Sequence, residues 1–266
     1  MKLFIFPNTS SQRYIDASLK CIRLLEEKCG AFCVLSPENS ELLFGNDGYA
    51  VHTPDECDLV VSIGGDGCVL KAACIAVLYD KPLVGINSGR LGYLCALDIS
   101  ALENADENVF APLLPAERTL LSFYLNGEHH FALNDVVFGK EYFGETVDLA
   151  VQCNGRQLAS CRADGVIVST PTGSTSYNLS AGGPILLPDS PCFVITPICP
   201  HFSDIHPYVV PDTAELTVCV AGRSEQAIVY ADGIMLGKIH DRLMLTRNSR
   251  SLKLLVRDES ANRAAE

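Results

Sequence analysis

At 266 residues and 48% hydrophobic content the chain can bury one large core or two modest ones, and two domains are the expectation. A formal charge of -12 without any Lys/Arg cluster argues against a nucleic-acid or anionic-membrane surface, since either needs a concentrated basic patch. Twelve cysteines would suit a disulfide scaffold only in a small secreted chain. Here Met1-Lys2 is followed by just LFIF, which is no secretory leader, and no apolar run reaches membrane-spanning length, so a reducing cytoplasm is expected. The cysteines also lack metal-site spacing, and most read as small core residues.

Leu3 to Phe6 reads as an apolar strand. Ile15, Leu19, Ile22, Leu25 and Cys29 then recur at helical spacing up to Gly30, a suitable helix C-cap. Strands are predicted at Phe32 to Leu35, Leu59 to Ile63 and Leu83 to Ile86, with a helix from Val69 to Leu78 between the last two. Such alternation predicts an α/β domain, a mostly parallel sheet covered by helices on both faces, with ligands at the C-terminal ends of its strands. The GGDG and NSG segments fall at those ends.

After Ala101 the pattern changes to strands at Leu120 to Leu125, Phe131 to Phe138, Val147 to Asn154, Val166 to Ser169, Phe193 to Pro197, Glu215 to Val220 and Ala227 to Tyr230. This predicts a β-rich, sandwich-like second domain over residues 101–242, with hairpin turns at Asn126-Gly127 and Asn154-Gly155. Leu243 to Val256 alternates apolar and basic residues, and the tail after Asp258 reads as frayed.

Three constellations carry chemistry. In GGDG, Gly64, Gly65 and Gly67 let backbone amides approach an anion, and Asp66 adds one carboxylate there. That acid suits either of two roles, accepting a proton from a hydroxyl that attacks a phosphoryl group or holding Mg²⁺ on donor phosphates. Asn134-Asp135 pairs an amide with a carboxylate, a combination able to grip ribose hydroxyls or simply to form a turn or bulge.

The third is the stretch from Arg162 to Pro188, RADGVIVSTPTGSTSYNLSAGGPILLP. Its β-branched run at Val166 to Val168 suits a buried strand, followed by Ser169, Thr170, Thr172, Ser174, Thr175 and Ser176 on a loop broken by Pro171 and Gly173 and entering a helix near Tyr177. Such hydroxyls can surround sugars and phosphates without fixed charge, or form a Ser/Thr-rich turn between core strands. Neither a GxxxxGK[ST] loop nor a GxGxxG fingerprint is present, so this is neither a P-loop NTPase nor an ordinary dinucleotide oxidoreductase.

Asp164 to Pro184 resembles the NAD kinase signature DG..STPTGSTAY..SAGGP. VVSIGGDG at Val60 to Gly67, VGINSGRLGYL at Val84 to Leu94, Asn134-Asp135 and ITPICPH at Ile195 to His201 resemble the same family's other blocks in the same order. The resemblance implies ATP-dependent phosphorylation of the adenosine ribose 2′-hydroxyl of NAD, with Asp66 as proton acceptor and a divalent cation, Mg²⁺, on the donor phosphates. It implies dinucleotide contacts at Gly67, Asn134, Asp135, Thr172, Thr175, Ser176, Tyr177, Ser180 and Cys199. Asp164 is implied at the nicotinamide half, Gly64 and Gly65 in the phosphate loop, and Asn87 and Asp232 lining the site. No direct protein ligand is assigned to the metal.

Arg162 resembles members that prefer NAD to NADH. The resemblance further implies that residues 243–266 return to complete an α/β domain of 1–100, and that the protein is a homotetramer. Polyphosphate is the other donor the family uses. Departures stand at Asp135 for Glu, Ser176 for Ala, Cys68 for Thr and His206 for Arg. A lipid or sugar kinase sharing GGDG, and a non-catalytic NAD(P)-binding regulator, are the alternatives.

Overall fold

The apolar runs of the first hundred residues form strands buried on both faces. A computed structural model describes residues 1–45, 48–89, 92–201 and 205–257, so Arg90 and Leu91 of the Val84 to Leu94 block and the tail after Arg257 lie outside the described residues. The chain divides into two units, Met1–Glu117 with the chain from Leu252 onward, and Arg118–Ser251.

The first unit opens with β1 (Lys2–Pro7), α1 (Gln12–Cys29), β2 (Phe32–Val34), α2 (Pro37–Phe44), β3 (Leu59–Gly64), α3 (Asp66–Leu78), β4 (Leu83–Asn87), β5 (Leu97–Asp98), α4 (Ile99–Glu103) and β6 (Leu113–Arg118). Gly30 ends α1 in the left-handed region at φ 58, where a side chain would be strained. Strand alternation sends Leu3, Ile5, Val61, Ile63, Val84 and Ile86 to one face, against Cys21, Ile22 and Leu25 of α1. The opposite face receives α3: a Cβ on Gly85 would stand 2.8 Å from Val69 Cγ2, so only glycine permits that approach. Helix α3 starts at Asp66, three residues before the predicted Val69, because Gly64 ends β3, Gly65 serves as the N-cap and Gly67 already lies in the first turn.

The second unit contains β7 (Leu121–Leu125), β8 (Glu128–Ala132), β9 (Asp135–Gly139), β10 (Val147–Cys153), β11 (Arg156–Ala163), β12 (Gly165–Ser169), α5 (Tyr177–Ser180), β13 (Cys192–Ile198), β14 (Tyr208–Pro211), β15 (Leu216–Val220), β16 (Ala227–Ala231), β17 (Ile234–Ile239) and β18 (Arg242–Arg247). They make two six-stranded sheets, β11-β10-β15-β18-β7-β8 and β14-β13-β12-β9-β16-β17. Phe123, Leu149, Val151, Val218 and Leu245 from the first pack with Phe138, Val166, Val168, Phe193 and Val229 from the second in one core, a β-sandwich. On its other face the second sheet buries Val137, Ile167 and Ile198 with Ala181 and Tyr230, which explains why β9 and β12 are apolar without alternation. Asn126-Gly127 and Asn154-Gly155 are hairpin turns with positive φ at both positions, as expected.

The chain then enters β19 (Leu252–Arg257), which pairs in parallel with β4 at Leu254 and Leu83. The first unit's sheet runs β2-β1-β3-β4-β19-β6, with β5 also on β4. Two boundaries differ from the sequence expectation. Residues 101–117 belong to the first unit through α4 and β6, and residues 243–251 belong to the second, because β18 buries alternate residues Leu243 and Leu245 in the sandwich core. The predicted single strand from Phe131 to Phe138 is two strands in different sheets, broken at Leu133-Asn134. None of the twelve cysteines is joined in a disulfide, and Cys74 and Cys199 are the exposed ones. Among the described residues no helix is long and apolar enough to cross a membrane.

Candidate active site

In the first unit, β3 delivers Gly64, Gly65 and Asp66 to the N-terminus of α3, whose first N–H groups have no preceding helical carbonyl to bond. Gly64 is fixed by crowding, since a Cβ there would meet Cys68 Cβ at 2.6 Å. Gly67 is exposed. The Asp66 carboxylate accepts the Tyr93 N–H at 2.8 Å (Oδ2) and the Leu94 N–H at 3.1 Å (Oδ1), which holds it in place and still leaves each oxygen a lone pair. Gly92 must be glycine: a Cβ would lie 2.2 Å from Asp66 Oδ1. Asn87, at the end of β4, is buried and spends its Oδ1 on the Gly89 N–H at 2.8 Å, shaping its own loop. Cys68 turns inward, its thiol 3.5 Å from the Ile63 carbonyl and 3.7 Å from that of Phe6, so the group at this departure faces backbone carbonyls.

In the second unit, Asn134 and Asp135 are buried at the break between β8 and β9. Asp232, in the turn from β16 to β17, accepts N–H groups from Leu133 (2.8 Å), Asn134 (2.7 Å) and Asp135 (3.2 Å). Burial raises the Asp232 carboxyl above its ordinary range, and the three N–H donors offset part of that rise. Burial first, and the neighbouring Asp232 second, push Asp135 up to about 7.

The hydroxyl-rich signature divides into two groups. One fastens the loop. Thr170 Oγ1 donates to the Leu133 carbonyl at 2.5 Å and accepts the Gly173 N–H at 3.1 Å, while Ser174 Oγ donates to Pro171 O at 2.7 Å and accepts Leu186 N–H at 3.0 Å. Asn178, fully buried, reaches the Ser174 and Pro184 carbonyls at 3.0 Å each and accepts from Thr196 at 2.6 Å. The other group is open: Thr175 is half-buried, and Ser176, Tyr177 and Ser180 are exposed along the 3₁₀ turn and α5. Thr172 Oγ1 and Asn134 Oδ1 are buried with no hydrogen-bond partner, an expensive state that a polar ligand would relieve.

Burial raises the Tyr177 phenol, with further pushes from Cys199, Asp164 and Asp135. Cys199 is exposed at the end of β13 and sits in the left-handed region at φ 45. Lys140, absent from the sequence reading, donates Nζ to Asp164 Oδ1 at 2.7 Å and lies 5.3 Å from the Phe143 ring centroid. Its only sequence signal was a lone cation at the end of an apolar strand. Arg162 does not reach Asp164: its guanidinium is taken by Asp148. Asp148, Asn178 and Lys140 are the residues that sequence reasoning missed.

Both halves match known proteins. The sequence profile "ATP-NAD kinase N-terminal domain" matches residues 5–112, and "ATP-NAD kinase C-terminal domain" matches residues 133–257. Among solved structures, yeast NADH kinase complexed with NADH aligns with a TM-score of 0.82 at 22% identity, covering 97% of this chain and 84% of that one. An NAD kinase from Archaeoglobus fulgidus in complex with ATP aligns at 0.75 and 24% identity, covering 99% and 96%. The fold is therefore the one these dinucleotide kinases share. An NAD kinase of Bacteroides fragilis is 34% identical over 270 residues, 97% of this chain and 93% of that protein, and one of Flavobacterium psychrophilum is 33% identical over 240 residues, 87% and 78%. The chain belongs to the NAD kinase family.

Proposed function

We infer that this chain is an ATP-dependent NAD kinase, transferring a phosphoryl group from ATP to the 2′-hydroxyl of the adenosine ribose of NAD to give NADP. The observation that carries the chemistry is Asp66, a carboxylate pinned by two backbone N–H groups at the head of a glycine-lined helix N-terminus. In this reading Asp66 accepts the proton from the attacking 2′-hydroxyl, and the amides of the Gly65 to Gly67 turn face the phosphates. Transfer of this kind leans on positioning and charge neutralisation, so the acid need not be strongly basic.

The second unit supplies the grip. The unpartnered Asn134 Oδ1 accepts from a ribose hydroxyl, Thr172, Thr175, Ser176 and Ser180 serve sugar and phosphate oxygens, and Tyr177 offers a ring face. Asp164 accepts from the carboxamide nitrogen through the oxygen that Lys140 leaves open. Among the described residues no cluster of three His, Cys, Asp or Glu stands ready to cage a cation. Mg²⁺ belongs to the reading as a companion of the ATP phosphates, where it would neutralise donor charge.

The reading extends to a cytoplasmic homotetramer, with polyphosphate as the other donor to be tried. A GGDG-type lipid or sugar kinase would not call for the hydroxyl loop of the second unit, and a silent regulator would not call for the pinned Asp66. Incubating the purified protein with NAD, ATP and Mg²⁺ and detecting NADP enzymatically tests the assignment. Failure to form NADP with either ATP or polyphosphate would overturn it.

A further inference from the structure

We propose that Asp232 is a positioning residue for dinucleotide binding, setting where Asn134 and Asp135 stand while making no contact of its own with the substrate. The inference rests on the NAD-kinase reading of that site.

The break between β8 and β9 creates a problem that Asp232 solves. Where a chain leaves one sheet for another, its N–H groups lose their ladder partners, and a buried N–H without an acceptor is costly. Three consecutive ones, at Leu133, Asn134 and Asp135, converge on the single Asp232 carboxylate. The Asp232 N–H returns a bond to the Asp135 carbonyl at 3.0 Å, so the two turns clasp each other in both directions. Asp232 reaches this geometry from the left-handed region at φ 48, followed by Gly233 at φ 79. On the far side, Thr170 N–H bonds the Asn134 carbonyl at 2.9 Å. The Asn134 backbone is thus saturated, while its side-chain Oδ1 is buried and unpartnered. A scaffold that uses every backbone group and spares one side-chain acceptor holds that acceptor for something else.

The clasp also has an electrostatic effect. The three N–H donors favour the ionised form of Asp232 against its burial, and burial first and the neighbouring Asp232 second oppose ionisation of Asp135. Around Asp135 stand Asp232 from the β16 to β17 turn, Ser169 opposite on β12, and the Tyr177 phenol from α5, itself sensing Asp164 and Cys199. In its protonated form Asp135 donates a hydrogen bond as well as accepting one, which suits a hydroxyl or carbonyl oxygen on the ligand.

The test uses the full chain and its Asp232→Asn and Asp232→Ala variants, measuring kcat, KM for NAD, KM for ATP, thermal unfolding, and the dependence of NAD affinity on pH between 5 and 9. Asparagine keeps the shape and one acceptor oxygen, so it serves if the alanine variant does not fold. We expect Asp232→Asn to raise KM for NAD about tenfold or more, as small misplacements of a binding group do, with KM for ATP changed less than about twofold. The midpoint in the pH dependence of NAD affinity should move to lower pH, because the negative neighbour of Asp135 is gone. An unchanged KM for NAD and an unmoved midpoint in folded Asp232→Asn would overturn the proposal, as would parallel loss for both substrates. A wild type that forms no NADP would instead sink the kinase reading.

Discussion

Arg162 and Asp148 stand directly opposite each other on β11 and β10 and join at two points, Nε to Oδ1 at 2.8 Å and Nη2 to Oδ2 at 3.1 Å. Asp148 also accepts the Arg223 N–H at 2.9 Å, and Arg162 first among its neighbours holds it below the usual carboxylate range. The cation on Asp164 is Lys140, and Arg162 is engaged across the β10 and β11 pairing by Asp148.

This relationship sharpens the expected preference for NAD over NADH. Arg162→Gly should narrow the ratio of kcat/KM for the two dinucleotides, and Asp148→Asn, which breaks the same pair from the other strand, should narrow it in the same direction. Steady-state assays with both substrates check this. A ratio unmoved by Arg162→Gly, or moved by it and not by Asp148→Asn, would defeat the argument.

Asp66→Asn should leave NAD affinity nearly intact and lower kcat about 10²-fold or more, the scale of a lost general base. Gly92→Ala should mimic it, because the added methyl would stand where the Asp66 carboxylate is, 2.2 Å from Oδ1. Titration calorimetry for binding and initial rates for kcat separate the effects. Near wild-type turnover in Asp66→Asn would remove Asp66 from the chemistry.

Gly173→Ala strikes the second unit. Its Cβ would lie 2.1 Å from the Asn134 carbonyl oxygen and 2.4 Å from the carbonyl carbon, rigid backbone that cannot step aside. A stability loss of about 1–3 kcal/mol is expected, the range for overpacking, together with weaker NAD binding as the Asn134 turn is displaced. Denaturant unfolding and an NAD titration would measure both.

Asp135 makes stability depend on pH in a definite direction. With its folded pKa raised from 3.8 to about 7, the carboxyl is neutral in both states below pH 4, and its contribution is fully present there. As pH rises from 4 to 7 the unfolded chain releases the proton and the folded one keeps it, so this contribution is lost by pH 7. Asp135→Asn removes that dependence, and its unfolding free energy should therefore gain on wild type by about 2–4 kcal/mol between pH 4 and pH 8. Parallel curves for the two proteins across this range would refute the shift.

The elements legible in the sequence were those whose local signal and tertiary role agree. Helix α1 has both its apolar stripe and its glycine stop, and the Asn-Gly hairpin turns fold as their backbone preference dictates. The break at Leu133-Asn134 was hidden because Phe131 and Ala132 before it and Val136 to Phe138 after it are apolar, and the carboxylate that gathers its N–H groups lies about a hundred residues away. Strand β11, RQLASCRA, was missed because its outward residues are polar and its inward ones small. Within the signature loop the motif located the site but could not sort its hydroxyls: Ser174 and Asn178 look as available as Thr175 and Ser176 until their partners are seen. Lys140 and Asp148 act through partners 24 and 14 positions away, a distance at which periodicity is silent.

Strand β19 has a consequence for the order of assembly. It lies between β4 and β6, so the first unit's sheet closes with a strand synthesised after the whole sandwich. A chain leaving the ribosome can complete the sandwich from its own contiguous residues, but until Leu252–Arg257 emerges β4 is open at Leu83, beyond its short pairing with β5, and β6 has no seat beside β19. The half that begins first finishes last, and the loop bearing Asp66 is supported by its full sheet only once translation has passed Arg257.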